Sequence, residues 1–286
     1  MKNANLTIGP WSDYELLDSG DGQKLERYGA FTLVRPETQA LWSPRRPELW
    51  KEANAEFRRH GEKGEWKTRE CPDAWDMSWK DLQFAVRLTS FKHTGVFPEQ
   101  AGNWEWIREQ VGHIQAPHVL NLFGYTGVAT LAAAKAGAHV THVDASKQSN
   151  AWAKENAERS DIPEGSVRYI LDDALKFVER EVRRGASYEG VILDPPAFGR
   201  GAKGEVWHIE EDLPRLLRAL AKLLSPKPGS FFLLNGYAAG YAPQSFAQAV
   251  HDHFVFKEGE FGELRIAESV PDRCVPSGIY VRFVRS

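Results

Sequence analysis

From Pro117 onward, short apolar runs alternate with helical stretches, and this alternation limits the fold more than any other feature of the chain. "HVLNLF" precedes a helical run at Val128–Ala136, and "HVTHVDA" precedes another near Lys147–Ser160. "VRYILDDA" leads into Leu175–Arg184, "EGVILDPP" into a helix near Asp212–Leu224, and "GSFFLLNGY" follows. Apolar strands separated by helices imply a parallel sheet with right-handed crossovers. The last stretch breaks the rule: "HFVFKEGEFGE" and "GIYVRFVRS" read as two strands with no helix between them, a final antiparallel pair.

The region before it is built differently. Eight of the ten tryptophans lie at or before Trp106, so a domain boundary is expected, with residues 1–91 as a small α+β domain and 92–286 as the sheet domain. In the first, "PELWKEANAEFRRHG" predicts a helix, because proline opens it and Leu49, Ala53 and Phe57 fall near helical spacing. "LQFAVRLTSF" alternates Leu82, Phe84, Val86 and Leu88 on one face, a half-buried strand. Trp42, Trp66, Trp75 and Trp79 have two readings, packing in a small core or a platform on which substrate stacks.

In an open parallel sheet, ligands bind beyond the carboxyl ends of the strands. The first strand ends in "NLFGYTG", Asn121 to Gly127, where Gly124 and Gly127 would let backbone approach a ligand without a Cβ in the way. The next ends at Asp144, about 20 residues after Gly124, the spacing of a carboxylate that accepts ribose hydroxyls. A tight turn into a helix capped at Ser146 is the plainer alternative. Together these features predict a site for an adenosine-containing cofactor. The loop is not G-x-G-x-x-G, which speaks against a dinucleotide. A third strand ends in "LDDA", where Asp173, or alternatively Asp172, could accept from an adenine amino group.

"VILDPPAFGRG" stops an apolar strand at an aspartate and two prolines. Proline cannot donate to a ladder and restricts the residue before it, so Asp194 and the prolyl carbonyls are held stiffly, with a ring next to them at Phe198. Other classes find no support. Cys71 and Cys274 lie far apart, and the nine histidines show no ligand spacing, so no metal is expected. A net charge of -3 carries no nucleic-acid signature. The start lacks a signal-peptide core and no run reaches membrane-spanning length, so a cytoplasmic location is expected.

In this order, "NLFGYTG", "VDAS", "LDDA" and "DPPAF" resemble the motifs of class I S-adenosylmethionine-dependent methyltransferases. In particular they resemble the group that includes bacterial 23S rRNA large-subunit methyltransferases with a DPP-x-F motif. The resemblance runs from about Lys92 to the end, and "HTGVFPEQAGNWEW" is similar to the segment that closes over the cofactor in that group. It implies a Rossmann-like, seven-stranded sheet with a terminal antiparallel strand, S-adenosylmethionine as cofactor and an RNA partner. It also implies that Asn121, Phe123, Gly124, Tyr125 and Gly127 surround the methionine part. Asp144 would hold the ribose and Asp173 the adenine, with Thr126, Ala145, Ser146 and Ala174 also lining the cofactor. Asp194, also near the cofactor, and Pro195 would face methyl and substrate, with Phe198 stacked on the target ring.

Methylation of a pyrimidine carbon needs a cysteine that adds to the ring. Neither "DPPAFGRG" nor "FFLLNGYAAGY" contains one, and Cys274 is expected to pack, so a nitrogen target is favoured. Rival readings are a methyltransferase of a protein amide or small planar amine, and a non-catalytic cofactor-binding protein.

Overall fold

A computed structural model describes the chain except residues 61–62, 202–203 and 238–239, with the side chains at 60 and 63 also outside the description. The chain forms two compact units. The larger comprises Met1–Leu6, Gly102–Glu263 and Gly278–Ser286, and the smaller Thr7–Ala101 and Leu264–Ser277. The crossing thus falls at Ala101–Gly102 instead of 91–92, and residues 264–277 belong with the smaller unit.

The larger unit carries the parallel sheet. Its main strands are β1 (His118–Leu122), β2 (His139–Asp144), β3 (Val167–Leu171), β4 (Gly190–Leu193), β5 (Phe231–Gly236), β6 (Glu258–Ala267) and β7 (Cys274–Val284), of which the last part of β6 and the first part of β7 fall within residues 264–277 of the smaller unit. They lie in the order β3-β2-β1-β4-β5-β7-β6. Strands β1 to β5 are mutually parallel and β7 runs antiparallel to β5, Val284 opposite Phe231 and Ile279 opposite Gly236. The seven expected strands are present within a nine-stranded sheet, the extra two being Lys2–Asn3 and Leu6–Ile8.

The helices are α1 (Ala101–Gly112), α2 (Val128–Lys135), α3 (Lys147–Arg159), α4 (Ala174–Arg183), α5 (Ile209–Leu223) and α6 (Pro243–His251). Both faces of the sheet are covered, so central strands read as unbroken apolar runs. Successive side chains still divide between the faces. Leu120, Leu122, Val191, Leu193, Phe232 and Leu234 pack with α4, α5 and α6. Val119, Val140, Ile192 and Leu233 pack with Ile107 and Val111 of α1 and Ala133 and Ala134 of α2. By the same alternation Asn121 and His142 point toward α2, a polar pair inside an apolar layer.

The smaller unit is a β structure. Tyr14–Gly20, Gln23–Tyr28, Phe31–Pro36, Ala55–His60 and Lys63–Thr68 form one sheet, and Ala74–Trp79 pairs with Leu82–Arg87. The helix expected over 47–61 is one turn, Pro47–Trp50, followed by a strand. Tertiary pairing overrides the helical spacing here. Asn54 accepts from the Thr32 amide through its side chain and donates its own amide to the Thr32 carbonyl. Residues 55 and 56 then pair with Leu33 and Val34. In the strand at Leu82–Arg87, Leu82, Phe84 and Val86 are buried as expected, and Leu88 lies beyond its end. The indoles in question are all engaged within the unit. Trp42 donates to Ser19 O, Trp66 to Thr89 O and Trp75 to Tyr28 O, and Trp79 is buried.

A buried ion pair sits in this unit. Glu26 accepts from Tyr14 and from two nitrogens of Arg35. Burial opposes its ionisation, but Arg35 and Lys24 prevail and hold the carboxyl down at about 2. A depressed carboxylate stabilises the fold fully above its ordinary pKa, and that contribution is lost as pH falls toward about 2. Glu26→Gln, which strands the Arg35 charge, should cost about 3–5 kcal/mol. Urea titrations at neutral pH check this; an unchanged midpoint would mean that the pair contributes nothing.

Candidate functional site

The loops at the carboxyl ends of β1 and β2 are locked to each other. Asp144 accepts from the Tyr125 amide at 2.9 Å through one carboxylate oxygen, and from the Ser146 amide at 2.8 Å through the other. The plainer reading of Asp144, a residue bonding the turn, therefore holds, and each oxygen keeps lone pairs for another donor. Ser146 caps α3 by accepting from the Ser149 amide. Two amides on α3 reach back to the loops: Asn150 donates to the Asp144 carbonyl and the buried Asn156 to the Thr126 carbonyl. Ala145 lies between Asp144 and the cap, half-buried.

The first loop is tightly bent. Phe123, Tyr125 and Gly127 all have left-handed backbone, at φ 56°, 48° and 88°, which only glycine adopts at no cost. Non-glycine residues in this region cluster at functional sites, held by their surroundings. At Gly124 a Cβ would lie 2.3 Å from Cε1 of His142, so the missing side chain makes room for a buried imidazole. At Gly127 the neighbour would be the Ala153 Cβ, at 2.9 Å. Beneath the loop, Asn121 donates to Thr130 Oγ1, which is 2.8 Å from His142 Nδ1. Burial pushes His142 down to about 4, so its ring is neutral at pH 7.

At the end of β3, Asp172 pairs with Arg180 and accepts from the Asp173 amide. Asp173 caps α4, its Oδ1 accepting from the Lys176 amide just beyond Ala174. Of the two acids, Asp173 thus has an oxygen uncommitted to any side-chain cation. Leu193 ends β4, and the Asp194 amide donates to Leu122 O at 3.4 Å, which sets the carboxylate beside the β1 loop. Pro195 is buried and its carbonyl accepts no bond among the described residues, whereas the Pro196 carbonyl accepts from Trp207 Nε1 at 2.7 Å.

The chain then turns into a ribbon, Phe198–Arg200 paired with Val206–His208. Trp207 is its inward anchor: almost wholly buried, it packs edge-on against Phe123 with ring centroids 5.0 Å apart. One indole touches both the β1 loop and the diproline segment. Phe198, on the other face, is 52% exposed. Sequence reasoning missed Thr130, His142 and Trp207. The hints were that Trp207 is one of just two tryptophans after Trp106, and that His142 is a polar residue at a sheet-facing position.

These loops lie together at the carboxyl ends of the parallel strands. The profile of the S-adenosylmethionine-dependent methyltransferase family matches residues 52–256, and the chain belongs to that family. The crystal structure of the SAM-dependent methyltransferase from Agrobacterium tumefaciens is 39% identical, with a TM-score of 0.94 over 99% of this chain and 94% of that one. A candidate methyltransferase solved in complex with SAH shares the fold, at 20% identity and a TM-score of 0.71 over 95% of this chain and 75% of that one. Ribosomal RNA large subunit methyltransferase K/L of Shewanella sp. (strain MR-4) is 35% identical over 54% of this chain and 22% of its own length. Ribosomal RNA large subunit methyltransferase K of Neisseria meningitidis serogroup B is 28% identical over 76% of this chain and 64% of its own length. The chain thus spans less than two thirds of either curated relative.

The contact between Gly124 and His142 is open to test. Gly124→Ala should destabilise by about 1–3 kcal/mol, the cost of overpacking. Combined with His142→Ala, the two changes should cost clearly less than their sum, because they touch. Urea melts of the four-member cycle decide it; strict additivity would show that the ring is not what excludes a side chain.

Proposed function

We propose that the chain methylates a nitrogen on a nucleobase of RNA, with large-subunit rRNA as the substrate. The observation that carries this is the pairing of two stiffly held acceptors, the Asp194 carboxylate and the Pro195 carbonyl, with an exposed ring four residues on. The names of the curated relatives point the same way.

S-adenosylmethionine is the cofactor of the family, and the groups at the strand ends suit it. Asp144 and Asp173 are acceptors for a ligand rich in hydroxyl and amino donors. Asn121, Phe123, Gly124, Tyr125, Thr126 and Gly127 would hold its methionine part, Asp144, Ala145 and Ser146 its ribose, and Asp173 with Ala174 its adenine. When bound, the sulfonium supplies an electrophilic methyl group. The protein orients the acceptor and places charge around it. A ring amine has its lone pair delocalised, and hydrogen bonds to Asp194 and Pro195 draw that nitrogen toward a tetrahedral, nucleophilic state. Phe198 stacks on the ring, as enzymes do when they hold a base out of its helix.

No cysteine lies in these loops to attack a pyrimidine carbon. Burial, then Asp73, pushes the Cys71 thiol up to about 11, so it stays protonated. A cytoplasmic location accompanies an rRNA substrate. Among the described residues no helix is long and apolar enough to cross a membrane, and no group of side chains could hold a metal. The net charge of -3 lends an RNA substrate no global electrostatic support, and a protein side-chain amide or small planar amine is the rival that the same acceptors would serve.

Asp144→Ala should lose one or two charge-assisted hydrogen bonds to the ribose, each worth about 1.5–3 kcal/mol. Burial raises the Asp144 carboxyl, although the Ser146 and Tyr125 amides oppose it. It therefore takes a proton at a higher pH than an ordinary aspartate. Affinity for S-adenosylmethionine should be full above that range and weaken as pH falls through it. Calorimetry from about pH 7 down to about pH 4 checks both points. Binding of NAD in place of S-adenosylmethionine would overturn the cofactor.

Methyl incorporation into deproteinised large-subunit rRNA tests the chemistry. Asp194→Asn should slow turnover by about 10²–10³ with little change in cofactor affinity. Phe198→Ala should weaken RNA binding by about 1–3 kcal/mol, and Cys274→Ser should leave the rate nearly untouched. An inactive Cys274→Ser beside an active Asp194→Asn would reverse the choice of nitrogen over carbon.

A further inference from the structure

The ribbon that follows the diproline segment has an outer face of which the proposed methyl-transfer site uses only Phe198. Phe198 pairs with His208 and Arg200 with Val206. Because side chains alternate, Trp207 and Gly199 turn inward while Phe198, Arg200, Val206 and His208 share the exposed side. Phe198 is 52% exposed and Val206 49%, two large apolar groups open to water on one short ribbon. Single exposed apolar residues are ordinary on a soluble protein, whereas a cluster beside a reactive loop marks a contact surface.

The polar members of the cluster are a cation and an imidazole. His208 lies edge-on to Phe198 at 5.1 Å between ring centroids, and the Arg200 guanidinium is 6.0 Å from the same ring. Three acids near the ribbon in sequence are already engaged. Glu205 pairs with Lys176, Asp212 pairs with Arg215 and accepts from the His208 amide, and Glu210 accepts from the Tyr241 hydroxyl. Among the described residues Arg200 has no acidic partner.

We infer that this outer face seats the RNA strand beside the target base, with Arg200 binding a backbone phosphate and His208 and Val206 lining the adjoining ribose. The inference rests on RNA being the substrate. An uncompensated guanidinium next to a stacking ring suits a polyanion that carries planar bases. A protein amide or a small amine would leave Arg200 with nothing to neutralise. Arginine also presents a planar fork that matches two phosphate oxygens, which lysine does not. Trp207, fixed between Phe123 and Pro196 on the inner side, keeps the ribbon in register with the acceptors.

The test is fluorescence anisotropy of the full chain with labelled single-stranded RNAs of two unrelated sequences, across a series of KCl concentrations. Arg200→Gln should weaken both by a similar factor, about tenfold at low salt, and lower the slope of log affinity against log salt by about 0.7, one phosphate's worth. Arg200→Lys should keep the slope and lose part of the affinity. Unchanged affinity and slope in Arg200→Gln, with wild-type protein binding normally, would overturn this inference and leave the RNA reading standing. Wild-type protein that binds no RNA at any salt, while methylating a protein or small amine, would overturn the RNA reading itself.

Discussion

The Asp144 carboxylate is the constraint on which the rest of the site depends. By accepting one amide from the loop after β1 and one from its own turn, it makes two strand-end loops a single rigid edge. Strained backbone at Phe123 and Tyr125 persists because that edge is over-determined: from above by Asp144, from the side by Asn150 and Asn156, and from below by His142. Left-handed non-glycine residues cost of order 1–3 kcal/mol each. Such strain is kept where position matters, and here it aims the edge at the ligand side of the sheet.

The same logic extends to β4. Two prolines remove backbone freedom after Asp194, and Trp207 then takes up the Pro196 carbonyl, leaving Pro195 as the acceptor without a partner among the described residues. The Phe123–Trp207 ring contact joins this segment to the β1 loop. The groups assigned to cofactor and to substrate are therefore joined through a single indole. Preorganisation of this kind is what an orientation-limited methyl transfer requires.

The sheet was legible because its central strands β4 and β5 are buried on both faces, so each appears as an apolar run that ends where the chain must turn toward solvent. The terminal antiparallel strand was legible because no helix separates the last two runs. The helix expected over 47–61 was not real, since its spacing was coincidental and Asn54 binds the backbone of Thr32 from a distant strand. The return of residues 264–277 to the smaller unit is likewise long-range. The missing side chain at Gly124 was legible, but not the neighbour that fills the space. The occupant of that space is His142, eighteen residues on in the sequence and on the neighbouring strand.

The most direct measurement of the account is mass spectrometry of modified nucleosides in large-subunit rRNA from cells with and without this protein. The account predicts that one base methylated on nitrogen disappears when the protein is absent and returns when it is restored. Loss of a carbon-methylated pyrimidine, or an unchanged set of nucleosides, would contradict it.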